Sequence, residues 1–203
     1  MGFYEKYLLP KLLNLAMKSP DMTGLRRELV PRARGRVLEL GVGSGLNLPF
    51  YSRGVQIIGV DPSLELQTYA REIAADQGLD VSFLAQSAES LPFESDYFDS
   101  VVITWTLCTI ADPEAAMAEV RRVIKPSGEL IFAEHGRSPE ASVEKWQDRL
   151  NPWWGKISGG CNLNRRPDET LTASGFKFEE LAEGYLAGPR WATYNYRGVA
   201  TPI

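Results

Sequence analysis

The feature that most constrains this chain is a glycine-rich turn that follows a short, mostly apolar run. Residues 37–40 read VLEL, and GVGSGLN follows with glycines at positions 41, 43 and 45. A buried strand that stops and turns sharply into a helix needs backbone without side chains. The bare backbone at the start of such a helix also leaves room for a ligand. The pattern predicts a strand, a tight turn and a helix built around a bound molecule.

A second apolar run, IIGV, ends in Asp61. An acidic residue at the end of the strand that follows a glycine-rich turn is placed to accept hydrogen bonds from ribose hydroxyls. The two features together predict a nucleoside cofactor. The plainer alternatives are that the glycines only form the turn, and that Asp61 only caps the helix that begins near Pro62.

Strand-like and helix-like stretches alternate along the chain, which predicts an α/β fold with a mainly parallel sheet. The predicted strands are residues 36–40, 56–60, 81–84, 98–104, 129–134, 176–182 and 192–199. The predicted helices are residues 22–29, 64–75, 113–124 and 168–173, with Asp112 capping the third. Residues 86–97 are predicted to be a loop, and Pro126, Ser127 and Gly128 a turn into the fifth strand. No repeat interrupts the chain, so residues 1–203 are predicted to form a single domain.

Charge and composition exclude several classes of function. The formal net charge is -4, so no positive excess is available to neutralise phosphates and a nucleic-acid partner is not expected. Two cysteines far apart in sequence do not form a disulfide framework, which favours a cytoplasmic location. No run approaches the roughly 18 apolar residues of a membrane span, so no integral membrane contact is expected. The start of the chain is interrupted by charged residues and is not typical of a signal peptide.

The glycine spacing is G-x-G-x-G, whereas a dehydrogenase fingerprint is spaced G-x-G-x-x-G. With its companions downstream, this segment resembles the class I S-adenosylmethionine-dependent methyltransferases. The matching segments, in the family's order, are LELGVGSG, Asp61, AQSAESLPF, FDSVVITWTL and VRRVIKPSGELIFAE, which lie within residues 36–134. The resemblance implies a Rossmann-like sheet of seven strands with the last antiparallel and helices on both faces. It also implies S-adenosyl-L-methionine as cofactor, at the carboxyl ends of strands one, two and four.

The same resemblance implies roles for individual residues. Glu39 would hold the amino group of the cofactor, and Asp61 the ribose. Ser87 stands where the family often has aspartate; its hydroxyl and the backbone N–H of Ala88 would bind the adenine. The complete set of expected cofactor-binding residues is Glu39, Gly41, Gly43, Gly45, Asn47, Asp61, Pro62, Ser87, Ala88, Glu89, Thr104 and Leu107.

The stretch after the fifth strand resembles the methyltransferase-like 7 group, the membrane-associated alkyl thiol methyltransferases. The matching residues are Glu134-His135, Trp146-Gln147, Pro152-Trp154, Gly160-Cys161, Leu163 and Arg165, together with Leu107-Cys108. That group has a long apolar N-terminal anchor, whereas this chain has a charged amphipathic segment there, so membrane attachment is not carried over. LELGVGSGLNLPFY also resembles bacterial phosphatidylethanolamine N-methyltransferases. We therefore expect methyl transfer to a small-molecule acceptor, for which a thiol and a phospholipid are both candidates.

His135 is the only histidine, and it follows the fifth strand at the edge where the site is expected. It is predicted to be catalytic by assisting deprotonation of the acceptor, although lone histidines are usually structural. The cysteines equally fit small buried packing residues, and Trp105, Trp153 and Trp154 fit either the core or a substrate wall. No cluster has the spacing of metal ligands, so no metal site is predicted. The predicted acceptor-binding residues are Trp105, Cys108, Cys161, Asn162 and Arg165.

Two segments are predicted to cover the site. Residues 1–34, with Tyr4, Leu8, Leu12 and Leu15 on one helical stripe, form either a helical lid or a helix packed on the sheet. Residues 137–175 are predicted to be a substrate-cap insertion. An NAD-dependent enzyme and a non-catalytic cofactor-binding module are the remaining alternatives. The oligomeric state is not predicted.

Overall fold

The computed structural model describes residue 14 and residues 17–203. The strands are β1 (Arg36–Leu40), β2 (Gln56–Val60), β3 (Val81–Leu84), β4 (Phe98–Thr104), β5 (Ile124–His135), β6 (Phe176–Tyr185) and β7 (Tyr194–Pro202). The helices are α1 (Pro20–Leu29), α2 (Leu64–Gln77), α3 (Pro113–Val123), α4 (Ala141–Ile157), α5 (Pro167–Ala173) and the single turn α6 (Arg190–Thr193). Short 3₁₀ turns cover Val30–Arg32 and Leu48–Phe50. Among the described residues, no helix is both long and apolar enough to span a bilayer.

The seven strands form one sheet in the order β3-β2-β1-β4-β5-β7-β6. Strands β1 to β5 pair in parallel, and β7 lies antiparallel to both β5 and β6. The predicted fold is therefore confirmed, including the antiparallel last strand. The strand order reverses between β1 and β4, and ligands of open α/β sheets bind at the carboxyl ends of the strands beside such a point.

Hydrophobic side chains pack on both faces of the sheet. One core lies on the face of α3 and α5 and includes Met117 and Leu171, while the other lies on the face of α1 and α2 and includes Leu29 and Ala70. The central strands β1 and β4 contribute to both cores, because their near-continuous apolar runs place apolar side chains on both faces of the sheet. Such runs are expected for parallel strands that are covered on two sides.

The ends of the helices follow the local signals of the sequence. Asp112 caps α3 by accepting a hydrogen bond from the backbone N–H of Ala115 at 2.9 Å, as predicted. Ser63 caps α2 in the same way, through the backbone N–H of Leu66 at 3.2 Å. Gly78 ends α2 in the left-handed conformation, with φ at 62°.

The structure corrects the sequence analysis in the segment after β5. Residues 141–157 form the helix α4, which the prediction lacks. Two of its large apolar residues, Trp146 and Trp153, are 55% and 71% exposed, so its apolar pattern does not match one buried face. Pro152 lies inside the helix, where proline normally predicts a break. Because of these two features, the sequence pattern does not predict the helix.

Strand bounds also differ from the prediction in the last three strands; β6 runs to Tyr185 rather than to residue 182, and β7 to Pro202 rather than to residue 199. Strand β5 begins at Ile124 rather than at residue 129, and the predicted turn at residues 126–128 lies within it. The register against β4 jumps there, since Phe98 pairs with Ile124 but Ser100 pairs with Glu129. The intervening residues form a bulge, whereas their sequence pattern predicts a turn. Strand β7 begins at Tyr194 rather than at residue 192, because α6 occupies residues 190–193.

Helix α4 is fixed to the sheet by Gln147, whose side chain is completely buried. Its Nε2 donates to the carbonyl oxygens of Gly136 and Leu163, both at 3.0 Å, and its Oε1 accepts from the N–H of Ser138 at 2.9 Å. One side chain thus joins the exit of β5, the helix and the loop before α5. We call residues 137–175 the cap.

The predicted N-terminal lid lies largely outside the described residues. The stripe of Tyr4, Leu8, Leu12 and Leu15 falls entirely there. Within the described part, Asn14 accepts a hydrogen bond from the Ser44 hydroxyl at 2.9 Å. The chain just before α1 therefore contacts the glycine-rich turn directly.

Candidate functional site

The glycine-rich turn after β1 is shaped by contacts that exclude side chains. Gly41 and Gly45 have φ values of 75° and 79°, which other residues adopt only with strain. A Cβ on Gly41 would lie 2.3 Å from Oγ1 of Thr106, and one on Gly45 would lie 2.8 Å from the Cα of Ala70. These two glycines let the turn pack against the loop after β4 and against α2.

Gly43 differs from Gly41 and Gly45 because no other described residue closely approaches the place where its Cβ would be. Its φ is 50°, and the atoms nearest to an added Cβ, Oδ2 of Asp61 and the carbonyl oxygen of Gly41, would be 3.9 Å away. The N–H of Gly43 donates to Asp61 Oδ2 at 3.0 Å, and the N–H of Ser63 donates to Oδ1 at 2.8 Å. The turn and the end of β2 therefore border one open space, lined by a carboxylate whose oxygens retain acceptor capacity.

A buried polar network lies under the turn. The Nδ2 of Asn47 donates to Glu39 Oε1 and to Thr104 Oγ1, both at 3.0 Å, and its Oδ1 accepts from Arg26 Nε at 3.0 Å. Asn47 is fully engaged by protein groups and therefore orients Glu39. Among the described residues, the second carboxylate oxygen of Glu39, Oε2, makes no hydrogen bond of good geometry although the residue is only 1% exposed; the buried Tyr51 hydroxyl, which interacts with Glu39, is likewise without such a bond. Burial raises the pKa of Glu39 to about 8.

The raised pKa of Glu39 predicts a pH dependence of stability. Between an unfolded pKa of about 4.3 and the folded value of about 8, the folded protein holds a proton that the unfolded chain has released. The free energy of unfolding therefore falls as pH rises through this window. We expect Glu39→Gln to remove this pH dependence, which amounts to a loss of up to about 1.4 kcal/mol of unfolding free energy per pH unit. Urea unfolding of the two proteins without cofactor, from about pH 5 to about pH 8, measures the dependence. A difference in unfolding free energy between the two proteins that stays constant with pH would contradict the prediction.

The loop after β3 carries the residues expected on the adenine side. It is adjacent to the end of β2, since the N–H of Asp61 donates to the carbonyl oxygen of Leu84 at 3.2 Å. The Ser87 hydroxyl donates to Glu89 Oε2, and Glu89 Oε1 accepts from the N–H of Asp112 at 3.3 Å. Glu89 thus holds the loop, while the Ser87 side chain lies at the surface and Ala88 is half-buried.

Cys108, His135 and Cys161 converge at the carboxyl edge of β4 and β5, although 53 residues separate the two cysteines in sequence. We call them the sulfur cluster. His135 Nε2 lies 2.9 Å from Cys161 Sγ, and Trp154 Nε1 donates to the same sulfur at 3.4 Å. The potential ligand atoms of the three residues lie within 4.8 Å of one another. The sequence spacing gave no sign of this arrangement, which comes entirely from the fold.

The sulfur cluster favours negative charge on a sulfur atom. Hydrogen bonds from Cys108, His135 and Trp154 outweigh the effect of burial and lower the pKa of Cys161 to about 4. Burial alone would lower the pKa of His135, but its hydrogen bond and charge interaction with Cys161 raise it. The interaction with Cys161 and burial raise the pKa of Cys108, whose thiol donates its hydrogen bond to the carbonyl oxygen of Trp105 at 3.8 Å. Both cysteines are free thiols.

The remaining cap residues of the prediction hold the loop after β4 rather than facing open space. The backbone N–H and Nδ2 of Asn162 both donate to the carbonyl oxygen of Cys108, at 2.9 and 3.0 Å. Arg165 Nη1 donates to the carbonyl oxygens of Leu107 and Ile110, the latter at 2.7 Å. The cap is therefore tied to the loop that carries Cys108.

A second buried carboxyl group supports this loop from below. Glu134 is fully buried, and its Oε1 accepts from the N–H of Thr106 at 2.8 Å. Its Oε2 has no partner among the described residues, and burial raises its pKa to about 7. Glu134 lies within the motif FAE of the sequence, but no local pattern indicates a role for it. Its role as the anchor of the loop depends on contacts across the sheet.

Trp105 takes a different position from the one expected. Its φ is 50°, which is strained for a residue other than glycine, and its ring packs in the core on the α1 and α2 face. The ring Nε1 donates to Asn195 Oδ1 at 2.8 Å, and the guanidinium of Arg26 lies 4.7 Å from the ring centroid. The Trp105 side chain therefore belongs to the polar network under the glycine turn. Trp153 is largely exposed, and Trp154 packs edge-on against Trp191.

Comparison with known proteins gives consistent results. Residues 38–132 match a family described as the methyltransferase domain. The chain is 31% identical over 190 residues to the thiol S-methyltransferase TMT1B of Rattus norvegicus, covering 88% of this chain and 77% of the relative. It is 40% identical over 116 residues to a phosphatidylethanolamine N-methyltransferase of Cereibacter sphaeroides, covering 55% and 57%. The solved structure of the cyclase SpnF has a TM-score of 0.70 at 21% identity, over 90% of this chain and 80% of that one.

The chain belongs to the class I S-adenosylmethionine-dependent methyltransferases. Within that class it is similar to the thiol S-methyltransferase group. The predicted methyltransferase activity and the cofactor S-adenosylmethionine are thereby confirmed. The alternatives of an NAD-dependent enzyme and of a non-catalytic module are not supported.

Proposed function

We propose that this methyltransferase acts on a small thiol, whose sulfur binds beside the sulfur cluster. The observation that carries the proposal is the 2.9 Å contact of His135 Nε2 with Cys161 Sγ at the carboxyl edge of β4 and β5. The likeness to a thiol S-methyltransferase points to the same acceptor class. Both cysteines are free, which fits the cytoplasm as the proposed location.

The cofactor is proposed to occupy the open space beside Gly43. S-adenosylmethionine supplies a methyl group on a positively charged sulfur, and its transfer leaves a neutral thioether. Two observations fit this group: the space that a Cβ on Gly43 would enter, and the buried oxygen Oε2 of Glu39, which makes no hydrogen bond of good geometry with the described residues. Glu39 would take the amino group and Asp61 the ribose. The remaining proposed contacts are Gly41, Gly45, Pro62, Ser87, Ala88, Glu89, Thr104 and Leu107, while Asn47 is proposed to act by orienting Glu39.

The sulfur cluster adjoins this cofactor space through the loop after β4. The place of a Cβ on Gly41 is filled by Thr106, only two residues before Cys108. An acceptor bound at the cluster would therefore lie next to the glycine-rich turn. Holding the acceptor and the methyl donor side by side is the main contribution that an enzyme makes to this reaction.

A thiol suits the groups that surround the acceptor position. A free thiol has a pKa near 8.5 and needs only modest help to lose its proton, whereas a hydroxyl needs a strong base. The donors that surround Cys161 Sγ, from His135 and Trp154, are of the kind that stabilises a sulfur anion. His135 is proposed to assist loss of the acceptor's proton, which passes to solvent as the new carbon–sulfur bond forms. The cap and its ties through Asn162 and Arg165 would keep water from this position.

A panel of thiols, amines, phenols and phosphatidylethanolamine with labelled S-adenosylmethionine tests the proposal. We expect label in thiols, and we expect His135→Ala to lower thiol turnover by about 100-fold or more while S-adenosylhomocysteine binds as before. Glu94→Gln, an exposed substitution, serves as the control with unchanged turnover. The proposal fails if no thiol is methylated, or if His135→Ala leaves turnover intact.

Phosphatidylethanolamine is the second candidate acceptor. It is favoured by the 40% identity to the phosphatidylethanolamine N-methyltransferase of Cereibacter sphaeroides, a match that covers about half of each chain. Label in the amine of the lipid, with none in thiols, would select this alternative.

A further inference from the structure

We propose that the sulfur cluster is a zinc site that binds the acceptor as a thiolate. The proposed ligand atoms are Sγ of Cys108, Nε2 of His135 and Sγ of Cys161. The inference rests on the thiol acceptor of the proposed function. It assigns a specific task to His135, which acts as a zinc ligand.

The chemistry of the three side chains selects zinc. Thiolate and imidazole are the preferred ligands of Zn²⁺, and a set of two cysteines and one histidine is typical of zinc sites that keep one position open. Oxygen ligands, which Mg²⁺ and Ca²⁺ need, do not belong to the set. A fourth, open position is where an acceptor thiolate would bind.

The spacing of the three atoms is close to what tetrahedral zinc requires. Bond lengths near 2.3 Å to sulfur and 2.0 Å to nitrogen place neighbouring ligands about 3.5 to 3.8 Å apart. In the structure His135 Nε2 lies 2.9 Å from Cys161 Sγ, and the potential ligand atoms of the three residues all lie within 4.8 Å of one another. Side-chain rotations that move each atom by about 1 Å would reach the required spacing.

The two cysteines are held together by the backbone and not only by their side chains. Asn162, directly after Cys161, donates twice to the carbonyl oxygen of Cys108. His135 is fixed in β5, where it pairs with Asn195 of β7. Ligands that are positioned before the metal binds lose little conformational freedom on binding, which favours affinity.

The surroundings also resemble those of a zinc site. Trp154 Nε1 donates to Cys161 Sγ, and hydrogen bonds of this kind orient and stabilise ligating sulfur. Zinc would lower the pKa of the acceptor thiol, whose proton passes to solvent on binding. The acceptor sulfur would thus be held as a thiolate beside the cofactor space.

Zinc binding to the full chain can be measured without any acceptor. Protein kept reduced and stripped with a chelator is titrated with Zn²⁺ against a chromophoric chelator, and with Co²⁺ to detect sulfur-to-cobalt charge-transfer absorption. We expect one zinc per chain, a cobalt spectrum of thiolate ligation, and affinity at least about 100-fold weaker in Cys108→Ser and Cys161→Ser. Glu94→Gln is the matched control for loose binding at surface carboxylates. Trp154→Phe, which removes an N–H but no ligand, should weaken binding by about 10-fold.

Thermal unfolding and S-adenosylhomocysteine binding show whether each variant is folded, and zinc should raise the unfolding temperature of the unaltered protein and of Glu94→Gln far more than that of the two cysteine variants. The proposal is overturned if the reduced, folded protein binds no zinc, or binds it equally well in both cysteine variants. Thiol methylation at full rate by metal-free protein would also overturn it, while leaving the thiol acceptor in place. Zinc bound by the cluster without methylation of any thiol would instead remove the proposed function.

Discussion

Replacing Gly43 with alanine should weaken S-adenosylmethionine binding by about 100-fold and leave the fold intact. Apart from the adjacent residues of the turn, the new Cβ would stand at least 3.9 Å from the atoms of the described residues and would enter the open space beside the turn. If the cofactor fills that space, the added methyl group of the alanine side chain can be accommodated only by displacing the cofactor. Overpacking of this kind costs about 1 to 3 kcal/mol of binding free energy. Calorimetric titration with S-adenosylmethionine measures the loss.

Gly54→Ala is the matched control for this substitution. Gly54 also has a positive φ, of 88°, and no atom lies within 4 Å of the place where its Cβ would be. Both alanines therefore suffer a similar backbone strain of about 1 to 2 kcal/mol, but only Gly43 borders the proposed site. We expect equal unfolding temperatures and unequal affinities. Equal affinities would contradict the proposal that the cofactor occupies the space beside Gly43.

The sequence predicts the strands of the parallel sheet well because each is specified locally. Residues 36–40 and 56–60 are mostly apolar runs that end at Gly41 and Asp61, and the structure has strands at these bounds and at the predicted bounds 81–84 and 98–104. Buried parallel strands carry this signal because both of their faces are apolar. The expected positions of Gly43 and Asp61 follow from the same local pattern.

Other parts of the site depend on contacts that the sequence does not encode locally. The sulfur cluster unites three elements, and nothing in the spacing of Cys108 and Cys161 indicates that their sulfurs approach. The partners of Arg26 and Glu134 lie across the fold, so their burial is not visible in a periodic pattern. The sequence leaves Trp105 open between the core and a substrate wall, and its ring lies in the core on the α1 and α2 face.

The sequence predicts the cap less well than the sheet, since it does not indicate helix α4. The contacts of Gln147 explain how the cap is held in place. A glutamine in the middle of a helix carries no sequence signal for burial, since most glutamines are exposed. Here the side chain is completely buried and satisfies three backbone groups in two segments outside α4. The position of α4 on the sheet therefore depends on polar contacts more than on an apolar face.

Gln147→Leu should lower the free energy of unfolding by about 3 kcal/mol, because it leaves three buried backbone groups without partners: the carbonyls of Gly136 and Leu163 and the N–H of Ser138. Leucine has a similar size, so the loss reports hydrogen bonding and not a cavity. Gln77→Leu, on the exposed end of α2, is the matched control and should change stability by no more than about 0.5 kcal/mol. Urea unfolding gives both values.

The same variant separates the cap from the cofactor site. Hydrogen exchange in Gln147→Leu should accelerate at residues 141–165 and not in the glycine-rich turn, because the lost bonds join α4 to the exit of β5 and to the loop before α5. Methyl transfer should then fall while S-adenosylhomocysteine affinity is kept, since the cap carries Cys161 but none of the proposed cofactor contacts. Loss of cofactor affinity equal to the loss of turnover would mean that α4 supports the whole site and does not act as a separate cover over the acceptor.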